Sequence, residues 1–241
     1  MRSIVKSRGY FLASKIFNLI YPSVCPVCKK PSDSYEHSPI CTACWTGIAG
    51  YSGPSCRICA TPLASEHSSI CKDCMKDEPS FSLVLNYGIY QGALAEAIHL
   101  MKFSGLKRLA GPLGNLLLTL NLPKYDGIIP VPLSRKGLRE RGFNQTLLLS
   151  LVISKELNIP LHMDMLMKVK DTPPQIGLSA KERIKNIKKA FQVSSKIDSL
   201  RLVLLDDVMT TGATVRECAK TLIRAGAKDV VVVTLARSSM M

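Results

Sequence analysis

The sequence predicts an α/β domain built on a mainly parallel sheet with helices on both faces, and ahead of it a small cysteine-rich module. Three observations carry that expectation. Leu202–Leu205 and Val230–Val233 are unbroken apolar runs, the pattern of strands covered on both faces. Between them Val215, Cys218, Ala219, Leu222 and Ala225 recur at helical spacing until Gly226 stops the pattern, which makes a strand–helix–strand unit. Finally, eight of the nine cysteines stand in four C-x-x-C pairs between residues 25 and 80.

Residues 1–24 read as a short amphipathic helix, with Lys or Arg at positions 2, 6, 8 and 15 among apolar residues. Lys15 and Asn18 interrupt what would be the core of a signal peptide. The helix is expected to pack on the rest of the protein or to touch a membrane surface.

Residues 25–80 hold the pairs Cys25/Cys28, Cys41/Cys44, Cys56/Cys59 and Cys71/Cys74. Glu36-His37-Ser38-Pro39-Ile40-Cys41 is echoed thirty residues on by Glu66-His67-Ser68-Ser69-Ile70-Cys71, so two tandem units are expected. Each C-x-x-C turn aims two sulfurs at one point, and two such turns close a tetrahedral S₄ shell suited to Zn²⁺. A disulfide framework would require a secreted protein. With four thiolates per shell no position is left for a catalytic water, so the two zinc ions are expected to be structural. The module has few large apolar residues, and metal bonds must supply much of its folding energy. First pair with second and third with fourth is the expected grouping. A cross-braced grouping uses the same ligands, and His37 and His67 offer substitutes.

In residues 81–241, Leu83–Tyr90 reads as a strand and Ala93–Phe103 as a helix with Leu94, Ala97, Ile98 and Met101 on one face. A helix from about Lys107 to Leu120 is disturbed near Gly111-Pro112, and Gly127–Val131 is a short buried strand. Asn144–Asn158 is an apolar helix and Leu161–Val169 a strand or hairpin. Ser179–Lys189 is a helix with a capping box, Ser179 and Glu182, and Phe191–Val193 is a brief strand. Strands alternating with helices give the parallel-sheet expectation.

The chemistry concentrates after Leu205. Asp206 and Asp207 follow the apolar run at the expected strand end, and Thr210-Thr211-Gly212-Ala213-Thr214 opens the next helix. A glycine there lets the backbone turn tightly, free N–H groups and the helix dipole favour an anion, and threonine hydroxyls bind phosphate oxygens. Paired acids repel phosphate but accept hydrogen bonds from adjacent sugar hydroxyls, or help hold a hydrated Mg²⁺. Phosphate cradle plus diol acceptor describes a ribose 5-phosphate site. No G-x-x-x-x-G-K-[ST] and no G-x-G-x-x-G occurs, so a Walker loop and a dinucleotide fingerprint are excluded. The stretch resembles the phosphoribosyl-pyrophosphate (PRPP) motif of type I phosphoribosyltransferases. By that resemblance Asp206 and Asp207 take the ribose hydroxyls and Thr210–Thr214 hold the 5-phosphate.

Two basic segments accompany it. Pro130–Gln145 carries Arg135, Arg139 and Arg141 in one expected loop, able to grip phosphate oxygens with planar forks. Lys181, Arg183, Lys185, Lys188 and Lys189 make the Ser179–Lys189 helix basic, either to meet a nucleic-acid backbone or as an ordinary solvated face. The net charge of +14 lies mainly in residues 81–241, and no apolar run approaches the ~20 residues that span a bilayer. Cys218, on the apolar face of its helix, is expected to be core.

As a whole the chain, a double zinc ribbon followed by a type I phosphoribosyltransferase domain, resembles the ComF (ComFC) family of bacterial competence proteins. Beyond the PRPP motif the resemblance rests on Arg141-Gly142-Phe143-Asn144-Gln145, Thr172, Gln175, Leu178-Ser179, Arg183, Asn186, Phe191, and Lys102-Phe103 with Gly105. It implies a cytoplasmic protein of natural transformation that meets incoming single-stranded DNA and uptake proteins at the inner membrane. It also implies a retained PRPP site, with Mg²⁺ accompanying the ligand. Whether such a site transfers phosphoribose to an acceptor, or only binds PRPP, the resemblance leaves open.

Overall fold

The structure, a computed structural model, describes residues 23–171 and 180–238. The expected N-terminal helix lies almost wholly outside them, as do Thr172, Gln175, Leu178 and the capping Ser179. Two short helices, α1 (Thr42–Thr46) and α2 (Lys72–Lys76), belong to the cysteine module. There follow β1 (Leu83–Ile89), α3 (Gly92–Phe103), a 3-10 turn (Lys107–Leu109), α4 (Ala110–Leu118) and β2 (Gly127–Pro130). Next are α5 (Arg135–Arg141), α6 (Gln145–Leu157), β3 (Leu166–Lys168), α7 (Ala180–Ile187) and β4 (Phe191–Val193). The chain ends in β5 (Arg201–Met209), α8 (Ala213–Arg224) and β6 (Asp229–Arg237).

The main sheet has the order β1-β6-β5-β2, and every pairing in it is parallel. The apolar runs explain the order. Leu202–Leu205 and Val230–Val233 are at most 1% exposed, and only central strands are covered on both faces. Alternation then sends Leu202, Leu204, Val230 and Val232 to one face, against Val215, Cys218, Ala219 and Leu222 of α8. Val203, Leu205, Val231 and Val233 meet α3, α4 and α6 on the other. Burying each such side chain is worth roughly 1.5–3 kcal/mol, so the two faces together hold the domain. Helices on both faces of a parallel sheet is the architecture expected.

Four local expectations are corrected. The arginine-rich segment is not a loop: Arg135–Arg141 is helical, because Ser134 accepts a hydrogen bond from the Gly137 N–H and Gly142, at φ +74°, closes the last turn. The strand carrying the acids does not end at Leu205. It runs on to Met209 because β6 offers partners as far as Arg237, so Asp206 and Asp207 lie inside it. Leu161–Val169 splits into a single bridge from Leu161 to Ile128, on the outer edge of β2, and β3, which pairs with β4 in a separate antiparallel ribbon. Lys188 and Lys189 fall past the end of α7. Lys189 has left-handed backbone (φ +55°) and its N–H is held by Glu217 Oε1 at 2.7 Å.

The cysteine module repeats in space as in sequence. Val24 bridges Pro31 as Ser55 bridges Pro62, and Cys41 and Cys71 sit at the same N-cap geometry (φ −72°, ψ 158° and φ −76°, ψ 158°). The first unit buries Cys25, Ile40, Cys41 and Trp45 in the core beneath α3, whereas the second buries Cys56, Cys59 and Cys74 in the core beneath α8. The two ribbons are thus continuous with the two faces of the sheet. Metal removal should therefore act on the whole molecule. Stripping with a chelator, or replacing Cys74 with Ser, should destabilise the fold by on the order of 4 kcal/mol or more and lower the thermal midpoint of one cooperative transition. Calorimetry that instead resolves an early transition confined to residues 23–80 would show that the ribbons melt alone.

Candidate functional site

The two acids at the carboxyl end of β5 have different neighbours. Asp207, 2% exposed, turns toward α3, where Lys102 Nζ lies 2.9 Å from Oδ1 and 2.8 Å from Oδ2. Its Oδ1 also accepts from the Val208 N–H at 2.7 Å, and its carbonyl accepts from Thr234 Oγ1 at 3.0 Å. Asp206 turns toward α8. With Thr210, Gly212, Ala213 and Thr214 it lines a small polar hollow of about 60 Å³. Asp206 Oδ1 accepts from the Asp207 N–H at 2.9 Å. Burial first, then the charge of Asp207, pushes the Asp206 carboxyl up to about 7, against the pull of Lys102.

The loop above Asp206 requires its glycine. Gly212 has φ +77°, and a Cβ there would come within 2.5 Å of Met209 Cε. The turn delivers the chain directly into α8, so the N–H groups of the first helical turn face the hollow that Asp206 lines.

A second cleft, about 320 Å³, opens on the other side of Asp207. Lys102, Phe103, Glu140, Arg141 and Phe143 line it. Arg141 is half-buried, stands 5.4 Å from the centre of the Phe103 ring, and donates from Nη1 to Gln145 Oε1 at 2.6 Å. Burial lowers its pKa while the charge of Asp207 raises it. Arg135 and Arg139 are exposed on α5 and do not line this cleft. Of the basic set on and after α7, Lys185, Lys188 and Lys189 are exposed, and the side chains of Lys181 and Arg183 fall outside the described residues. Lys102 is the functional-site residue that sequence spacing misses: it is 105 positions from its partner, and only the family resemblance drew attention to it.

The cysteines form two tetrads, Cys25/Cys28/Cys41/Cys44 and Cys56/Cys59/Cys71/Cys74, with all sulfurs of a set within 4.8 Å of one another. This is the sequential grouping. Cys28 and Cys41 sulfurs are 3.6 Å apart, as are those of Cys59 and Cys71, close to the ~3.8 Å edge of a tetrahedron with ~2.3 Å metal–sulfur bonds. Burial raises the Cys25 thiol, but N–H groups of Cys28, Cys41 and Val27 outweigh it and bring it down to about 6, so the turn stabilises a thiolate. Burial pushes Cys44 up to about 12, a value incompatible with ionisation unless a cation sits among the sulfurs. A further sign comes from Arg237. It is 2% exposed, has an unpartnered Nη1, and meets no carboxylate within ion-pair distance among the described residues; the tetrad around Cys59 is its counter-charge. Both tetrads fit structural Zn²⁺. His37 is not a ligand: its ring stacks on Trp45 at 4.3 Å.

A parallel α/β domain with acids and a helix-opening hydroxyl loop at one sheet edge, carried behind two tetrathiolate ribbons, defines the class. A double zinc ribbon family matches residues 16–75. The DNA utilization protein YhgH of Escherichia coli O6:H1 is 33% identical over 228 residues, covering 91% of this chain and 99% of that protein. Competence protein F of Haemophilus influenzae is 34% identical, covering 83% of this chain and 90% of its own length. Competence protein ComFC of Bacillus subtilis is 27% identical, with 83% and 84% covered. The chain belongs to this ComF/ComFC family of competence proteins. Among solved structures, a B. subtilis glutamine PRPP amidotransferase overlaps 52% of this chain and 25% of that chain at 19% identity and a TM-score of 0.37, too loose an overlap to bear on the site.

The perturbed carboxyl has a consequence for stability. In the unfolded chain Asp206 ionises near 4, and in the fold near 7. The folded state therefore loses stability as pH rises from about 4 to about 7, and the penalty is complete above that. Asp206→Asn keeps an acceptor for the Asp207 N–H and removes the charge. It should stabilise the ligand-free protein by on the order of 1–3 kcal/mol at pH 8 and leave it unchanged at pH 4. Equal denaturation midpoints for the two proteins at pH 8 would contradict the burial of that charge.

Proposed function

We propose that the carboxyl edge of β5 binds PRPP and that the protein uses this site in DNA uptake during natural transformation, where it handles incoming single-stranded DNA in the cytoplasm. The observation that carries the reading is the facing of Asp206 with the Thr210–Thr214 loop across one polar hollow. A phosphate in the helix-opening loop leaves the adjacent ribose hydroxyls over the Asp206 carboxylate, which accepts from them. Asp207, already held by Lys102, fixes the strand end and keeps a cation beside the sugar. Mg²⁺, when it accompanies PRPP, would be held by the diol, the phosphates and the acid edge, and would neutralise phosphate charge. Membership of the competence family supports the biological setting. Among the described residues no helix is long and apolar enough to cross a membrane. Any contact with uptake proteins at the inner membrane would then be peripheral.

One observation favours turnover as a second reading. Arg141 and Lys102 flank Asp207 on the cleft opposite the phosphate loop, where positive charge would stabilise a leaving pyrophosphate. In that case the protein is a phosphoribosyltransferase for an acceptor that enters the same cleft. Arg135 and Arg139, on the exposed side of α5, would meet an anion only at its outer rim.

Calorimetric titration with PRPP and Mg²⁺ tests the site. Asp206→Asn with Asp207→Asn should abolish the binding heat and leave two zinc equivalents in place. Unchanged PRPP affinity in that double variant sinks the assignment. For DNA, replacing Lys185, Lys188 and Lys189 with Ala should reduce the slope of log Kobs against log salt for single strands by about 2. A slope equal to that of the wild type removes this segment from the nucleic-acid interface.

A further inference from the structure

The two tetrads share a ligand set but not their surroundings. Among the described residues, no cationic side chain donates to a sulfur of the first. Two arginines of the α/β domain donate to the second. Arg216 Nη2 lies 3.5 Å from Cys74 Sγ, and its Nη1 reaches the Asp77 carbonyl at 2.7 Å and the Asp77 carboxylate at 3.4 Å. Arg237 Nη2 lies 3.8 Å from Cys59 Sγ, and its Nε donates to Thr61 Oγ1 at 2.9 Å, a hydroxyl that is itself 3.0 Å from the Cys59 sulfur. A divalent cation among four thiolates leaves a net charge of −2, and two guanidiniums balance it.

These same arginines bracket the Thr210–Thr214 loop. Arg237 is the register partner of Met209, the last residue of β5, and the Ser238 N–H donates to the Met209 carbonyl at 3.0 Å. The Met209 side chain in turn fills the space under Gly212. Arg216 lies in the first turn of α8, its N–H bonded to the Gly212 carbonyl at 2.9 Å. A cation in the first turn of a helix opposes the helix dipole, a cost of about 0.3–1 kcal/mol that an anion close by offsets. One arginine thus fixes the residue before the loop and the other the turn after it, and both are anchored on sulfurs of one tetrad.

We propose that Arg216 and Arg237 are positioning residues that couple the Cys56/Cys59/Cys71/Cys74 tetrad, in its zinc-loaded form, to the loop of residues 210–214. Loss of metal from this tetrad frees both side chains and loosens the loop, whereas loss from the Cys25/Cys28/Cys41/Cys44 tetrad does not. The coupling rests on the assignment of that loop to a phosphate, but its physical signature does not require the sugar. The second ribbon is therefore the part of the module through which zinc status reaches the site.

The test uses the full zinc-loaded chain. Arg216→Gln is chosen because it removes the guanidinium that reaches Asp77 and Cys74 while keeping most of the stem of a side chain that is about one-fifth exposed. Arg57→Gln removes an exposed charge from the same ribbon and serves as the control. Zinc transfer to a chromogenic chelator is followed together with amide hydrogen exchange of residues 209–216, both without PRPP. Arg216→Gln should release one of its two zinc equivalents ~10-fold or more faster than wild type and the other at the wild-type rate. Its loop amides should exchange faster, and Arg57→Gln should change neither. Arg216→Lys keeps the charge but loses the fork that spans Asp77 and Cys74; it should show the same split release at smaller size. Equal release of both equivalents in the Arg216 variants, or split release with unaltered loop exchange, overturns the coupling. A PRPP titration of the wild type runs alongside: absence of binding there refutes the phosphate assignment and leaves the coupling to be judged on zinc and exchange alone.

Discussion

The ion pair between Asp207 and Lys102 is the contact on which the site depends. A carboxylate 2% exposed at the end of a central strand is tolerable only with a cation at hydrogen-bond distance. Lys102 comes from the last turn of α3, on the face of the sheet opposite α8. The pair therefore ties the carboxyl end of β5 to that helix and fixes where Phe103 and, through it, the Arg141 guanidinium stand. Breaking it would leave a buried charge unmatched, a cost of about 3–5 kcal/mol, a large share of the stability of an ordinary domain. The same contact leaves Asp206, one residue earlier, without a cation of its own. One acid is spent on holding the edge and the other remains available at it.

That division explains why a strained arrangement persists. Asp206 is raised by burial and by its neighbour's charge, and the pull of Lys102 and of the Asp207 N–H offsets that only in part. An acceptor poised between protonated and ionised forms, beneath a turn that only glycine can make, is a poor choice for stability and a good one for a hydroxyl donor. The surrounding core absorbs the cost: β5 and β6 each place apolar side chains into both faces of the sheet, so the strand cannot shift to relieve its acids.

The sequence discloses what is local and periodic. The unit from β5 through α8 to β6, the apolar face Leu94/Ala97/Ile98/Met101 of α3 and the eight cysteine ligands all follow from spacing, whereas the sequential grouping of those ligands is decided by the structure. Its failures are of two physical kinds. Arg135–Arg141 reads as a loop because a seven-residue helix with five charges and a glycine has no apolar period. Only its ends, Ser134 and Gly142, betray it. The run of β5 past Asp206 is hidden because aspartate is a poor strand residue. The length of a strand is set by its neighbour, here β6, which stays buried from Val230 to Arg237. The second kind is long-range: Lys102 with Asp207, and Arg216 and Arg237 with sulfurs some 140 to 180 positions away. No local pattern encodes a counter-ion. What the sequence does show is the need for one wherever a charged residue interrupts an apolar strand, and Asp207 and Arg237 are both such interruptions.

Those two interruptions belong to one design. Each lies at the carboxyl end of a central strand, β5 or β6, and each is buried to the same degree. Asp207 finds its opposite charge in a helix of the α/β domain, and Arg237 finds none there. Its partners are the Cys59 sulfur and Thr61, in the ribbon that precedes the domain. A neutral side chain in place of Arg237 would pack more cheaply, since replacing a buried charge by an apolar group of similar volume is commonly neutral or stabilising. An arginine suits the position where a dianionic tetrathiolate centre lies against the end of the strand. On that reasoning the cysteine module is more than an appended domain: its second half supplies the counter-charge that Arg237 lacks within the α/β domain, at the edge where the loop of residues 210–214 begins.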